Sequence, residues 1–144
     1  MKSGLTLLVT AGVLFTMACQ GTDPGPSTDT PKNAALTEAY KTKLVLSGLG
    51  LARGENYLGD AVYYVQGKVT NEGGRLVQRV EVVFKFKDSQ NKEVFRKIRR
   101  ALDYQGGGNL APQKTSEFQV AFEKIPDHWN YSLPDVEIAK VVFR

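Results

Sequence analysis

Cysteine occurs once in this chain of 144 residues, histidine once and tryptophan once. A single cysteine excludes an internal disulfide framework. One cysteine and one histidine also exclude the usual zinc ligand sets. The acidic side chains are scattered and nowhere take the D-x-D-x-D-G spacing of a calcium loop. No G-x-S-x-G motif is present, and His128, between Asp127 and Trp129, has no nucleophile motif around Ser116 or Ser132 to serve. It reads as a loop residue. Gly48 and Gly50, and the three glycines at 106–108, do not lie between a strand and a helix, so they do not read as a phosphate cradle. With 19 basic and 15 acidic side chains the net charge is +4, too mild to imply nucleic acid. These absences lead to the expectation of a non-enzymatic protein with no metal and no cofactor.

Long apolar runs are scarce too. The only one is residues 5–15, which follows Lys2 and ends in Thr16-Met17-Ala18. About a dozen apolar residues is too short for a permanent membrane helix, which takes roughly 20. A short positive start, an apolar stretch and small residues at the cleavage positions are the marks of an export signal, assigned to 1–18. The residue after Ala18 is Cys19, and polar sequence begins at Gln20. This junction resembles the bacterial lipobox, whose cysteine receives a diacylglyceryl group and becomes the new N-terminus. The resemblance implies lipidation of Cys19 and a membrane partner through that anchor. Two or three acyl chains, at roughly 0.8 kcal/mol per buried methylene, would hold it effectively permanently. Ordinary cleavage leaving a free thiol is the alternative, and an unpaired exposed cysteine is a reactive liability. Gln20, rather than Asp, after the cysteine points to the outer membrane in a host with two.

Residues 19–39 read as the lipidated N-terminus and a flexible linker. They carry Gly21, Asp23, Pro24, Gly25 and Pro26 and no apolar residue before Ala34, too little to offset ordering entropy. A coil of about 18 residues reaches roughly 25 Å. Within 34–40 at most a single helical turn is expected. The domain proper, 40–144, alternates with period two. LVLSGLGLAR, from 44, fits a partly buried or edge strand with a bulge at its glycines. Residues 62–70 place Tyr63, Val65, Gly67 and Val69 on one face. Asn71-Glu72-Gly73-Gly74 reads as a hairpin turn. Residues 77–87 give the central strand, with Val80, Val82, Phe84 and Phe86 inward. After a turn at 88–92, residues 93–102 form a charged edge strand, and 103–113 a loop. Residues 115–122 point Phe118, Val120 and Phe122 inward, and 134–143 slip phase near Ala139, the mark of a bulge. Six or seven short strands with almost no helix predict an antiparallel immunoglobulin-like β-sandwich.

The pattern Val65-x-Gly67-x-Val69-x-Asn71, then Val80-x-Val82-x-Phe84-x-Phe86-x-Asp88, then Leu110-x-Pro112 before Phe118, resembles the FxLYD-type β-sandwich domains of bacterial envelope proteins. The ending Phe122-Glu123-x-Ile125, Trp129-Asn130 and Pro134 is similar to that of a related, uncharacterised envelope domain family. The resemblance implies an extracytoplasmic sandwich without enzymatic activity and brings no functional residues with it.

Two surfaces are candidates for binding. Lys85, Lys87, Arg96, Lys97, Arg99 and Arg100 concentrate positive charge on the third and fourth strands; they suit an anionic partner, or simply a solvated edge that resists aggregation. Trp129 and Tyr131, with Tyr57, Tyr63 and Tyr64, suit an aromatic contact patch, or Trp129 plugs one end of the core. The expected function is that of an anchored envelope protein whose sandwich binds another envelope component. The alternative is a module binding glycan or anionic polymer through the basic strands.

Overall fold

In the computed structural model, residues 31–103 and 108–143 are described. The expected signal segment, Cys19, the tether up to residue 30 and Gly106-Gly107 lie outside the described residues. The elements in chain order are α1 (Pro31–Lys41), β1 (Leu44–Glu55), β2 (Ala61–Asn71), β3 (Val77–Lys87), β4 (Glu93–Asp103), β5 (Thr115–Phe122) and β6 (Asp135–Phe143). Two three-stranded antiparallel sheets form, in the orders β1-β2-β5 and β4-β3-β6. These are the positions A-B-E and C′-C-F of an immunoglobulin-type sandwich.

Apolar side chains at every second position of β2, β3 and β5 make the core. Val65, Val69, Val80, Val82, Phe84, Phe86, Phe118, Val120 and Phe122 are all buried. The sheets are joined by edge-to-face contacts of Phe122 with Phe84 at 5.1 Å and with Phe86 at 5.0 Å, the geometry that aromatic quadrupoles favour. β3 is the central strand of its sheet, as its uninterrupted apolar face predicts. In β1 the register shifts between Ser47 and Gly50, and Gly48 there has φ 58°, a conformation that costs glycine nothing. In β6, Lys140 pairs with Glu81 and Ile138 with Val82, which leaves Ala139 as the extra residue of a bulge.

Two expectations change. Residues 71–74 are not a hairpin turn, because β2 and β3 belong to different sheets and the chain crosses between them. A two-residue hairpin of the expected kind needs positive φ, yet the positive-φ glycines of the described residues are Gly48 and Gly59. Gly73 is required for space instead, since a Cβ there would stand 2.2 Å from the Tyr40 hydroxyl. The second change is the helix. It covers Pro31–Lys41, begins inside the stretch expected to be linker, and exceeds a single turn. Proline near its start and Ala34, Ala35, Leu36, Glu38 and Ala39 within it favour helix. It stops where the Thr42 hydroxyl and the Lys43 N–H bond back to the carbonyls of Ala39 and Tyr40.

Asn71 locks the helix to the crossover. It is the buried polar residue of the core, with no exposed surface. Its Oδ1 accepts from the Tyr40 hydroxyl at 2.8 Å and the Gly73 N–H at 3.0 Å. Its Nδ2 donates to the carbonyls of Arg75 at 2.7 Å and Leu110 at 3.0 Å. Every side-chain hydrogen-bonding position of the amide is used. The helix also packs against residues 139–143 of β6 and so covers part of an edge that would otherwise stay open.

Candidate functional site

Alternation along β4 divides the six basic candidates. Directly opposed residues share a face, so Lys85 of β3, Arg96 of β4 and Asp135 of β6 stand together on the outer face. Lys97 opposes Phe84 and Arg99 opposes Val82, which puts both on the core-facing side. The six therefore do not form one patch. On the outer face the charge is largely compensated. Lys85 pairs with Glu137 at 2.6 Å and Lys87 with Asp135 at 2.6 Å. Arg96 donates from Nε and Nη2 to both oxygens of Glu93, at 2.7 and 2.8 Å. That hydrogen-bonded fork, ahead of the nearby positive charges, holds the Glu93 carboxyl below its ordinary range and raises the Arg96 guanidinium. Between these pairs Val83 and Ile98 oppose one another, and Ile98 is 52% exposed.

The aromatic candidates gather where β1 and β3 end and β6 begins, the end of the sandwich away from Tyr40 and Asn71. Trp129 is 2% exposed and is a core side chain, not a contact residue. Its ring meets Tyr63 at 4.9 Å and 90° and Phe86 at 5.2 Å and 83°. Its buried indole N–H has no hydrogen-bond partner among the described residues, and edge-to-face packing on two rings is the setting in which an N–H can be received by a π face. The loop carrying Trp129 is clipped to β3 by Asn130, whose N–H donates to the Lys87 carbonyl at 2.9 Å and whose Nδ2 donates to the Asp88 carbonyl at 3.2 Å. Asn130 and Trp129 thus explain each other: one holds the loop, the other fills the end of the core.

Tyr131, two residues on, has φ 58° and turns outward at 58% exposure. It covers Trp129 at 5.1 Å. On either side open two clefts of about 490 and 500 Å³ that share Arg53, Tyr63 and Tyr131 as walls. The turn between β1 and β2 borders the larger one through Asn56 and Asp60. That turn is tied by the Asn56 Oδ1, which accepts the N–H groups of Leu58 and Asp60, both at 2.9 Å. It holds Tyr57 and Leu58 out at 94% and 70% exposure. Leu58 was not among the sequence candidates, and only its isolation in a polar turn could have signalled it.

His128 is exposed in the same loop, and no group of three or more His, Cys, Asp or Glu among the described residues could hold a metal ion. No helix of the described residues is long and apolar enough to cross a membrane. Comparison with protein-family models, with curated proteins and with solved structures finds no match for the chain.

Proposed function

We propose that this is a non-enzymatic envelope protein, lipid-anchored at Cys19, whose sandwich binds a protein partner through the end opposite its point of attachment. One observation carries the reading: Tyr57, Leu58, Tyr131 and Leu133 are all large, exposed and at that end. Exposed apolar side chains gathered around aromatic walls are the usual make-up of the centre of a protein interface. The chain enters at the other end, through α1 and the start of β1, about 35 Å away by the length of an 11-residue strand. Membership of the FxLYD-like envelope sandwiches and a place at the outer membrane belong to the same proposal, supported by the motifs and by Gln20.

Recognition of anionic polymer through the outer face of the basic strands is not favoured, because Lys85, Lys87 and Arg96 already have carboxylate partners there. Photocross-linking in intact cells tests the choice. A photoreactive residue at Leu58 is expected to give a discrete protein adduct that survives high salt and disappears in Tyr57→Ser/Tyr131→Ser. An adduct formed only from Ile98, and lost in salt, would move the interface to the charged sheet and overturn the reading.

A further inference from the structure

The core-facing row of β4 runs Phe95, Lys97, Arg99 and Leu102. Leu102 is buried and Phe95 packs against the core, as that face requires. Lys97 and Arg99, between them, are exposed. Side chains pointing toward the interior reach solvent there because the opposing sheet stops at β5, which has a neighbour on one side only. The position beside β5, where an immunoglobulin-type sandwich carries its D strand, holds no strand among the described residues. Among the described residues Lys97 and Arg99 overhang this gap without a carboxylate partner: Arg99 bonds the carbonyl of Ile98, at 3.1 Å, and Lys97 has no hydrogen bond or ion pair. Along the same opening, β5 pairs with β2 without a register shift from Thr115 to Phe122. Its other edge is therefore straight and regular, a template for another strand.

We propose that β5 accepts an extended acidic segment of a partner protein as an added strand, with carboxylates at alternate positions meeting Lys97 and Arg99. The backbone of the segment would bond to the free edge of β5, the β-augmentation mode of recognition. Its core-facing side chains would lie under β4. Residues two apart on a strand are about 7 Å apart, the spacing of the two cations on β4. Chemistry selects the occupant, because a basic or wholly apolar strand would bury Lys97 and Arg99 unpaired, at high cost. This surface is separate from the aromatic end, and neither proposal depends on the other.

The probe is a synthetic peptide, acetyl-Thr-Glu-Val-Glu-Val-Glu-Thr-amide, with a counterpart carrying Lys in place of each Glu, titrated into the purified mature chain. The acidic peptide is expected to slow amide hydrogen exchange within residues 115–122 and to leave the outer edges of β1 and β6 unchanged. Lys97→Glu/Arg99→Glu is expected to weaken its binding at least tenfold and to gain the lysine peptide, while the unfolding midpoint stays put. The gain shows that the variant is folded and that charge, not damage, accounts for the loss. Failure of the acidic peptide to bind would overturn the proposal. So would equal binding of the lysine peptide, or protection elsewhere than β5. Protection of β5 that rises with protein concentration in the absence of peptide would assign the edge to a second copy of this chain and likewise overturn it.

Discussion

Asn71 joins four parts of the chain with one amide: the helix through Tyr40, its own turn through Gly73, the start of β3 through Arg75, and the segment before β5 through Leu110. Loss of the amide removes four hydrogen bonds at once, two of them fully buried, and strands the buried Gly73 N–H, while the Leu110 carbonyl keeps the Val77 N–H and the Tyr40 hydroxyl keeps Arg75. An unmet buried polar group costs about 1–3 kcal/mol. Asn71→Leu is therefore expected to lower stability by about 3–5 kcal/mol, read as a shift of the urea midpoint at constant slope. In the sequence this residue is legible only as a turn former. Asn before Gly-Gly suits a hairpin locally, and nothing local tells whether the following strand pairs with the previous one or crosses to another sheet. Trp129 is similar: its type fits a binding patch or a core plug, and only the loop geometry imposed by Asn130 decides for the plug.

At the scale of elements, the strands whose faces are pure were the legible ones. β3 and β5 have the bounds their alternation predicts, since each carries a run of large apolar residues on one face, Val80 to Phe86 and Phe118 to Phe122, and a one-residue slip would bury charge. The Ala139 bulge was legible for the same reason, as a break in phase. The helix was not, because its apolar positions are few and its docking rests on one tyrosine rather than on a stripe. That docking can be tested by coupling. Gly73→Ala pushes a methyl into the Tyr40 ring and should cost about 1–3 kcal/mol, as overpacking does. Tyr40→Phe should cost about 1–3 kcal/mol alone, since its hydroxyl bonds the Asn71 amide oxygen and both the N–H and the carbonyl of Arg75, and much less when added to Gly73→Ala. Additive effects in the double-mutant cycle would show that the helix and the crossover are not locked together. The basic residues of β4 belong to this scale as well. Read along the sequence they form one cluster, but a strand sends neighbours to opposite faces, so a run of Arg96-Lys97 or Arg99-Arg100 cannot make a single patch.

For the whole molecule, the arrangement has two ends. The chain enters the sandwich at the end where Tyr40 meets Asn71, the end of the proposed attachment, and the exposed Tyr57, Leu58 and Tyr131 are at the other. A lipid anchor at Cys19, as proposed, would hold the first end near a bilayer and present the second to whatever lies beyond it. The proposed partner interface thus depends on the anchor for its orientation. The anchor is read from Cys19, the small residues before it and the polar sequence after it. The decisive measurement is the mass of the mature protein extracted from membranes, beside that of a Cys19→Ala variant. The arrangement predicts an N-terminus at Cys19 carrying acyl mass, absent from the variant, which should leave the membrane fraction. An unmodified N-terminus in the soluble fraction would contradict it and leave the aromatic end without a membrane to face away from.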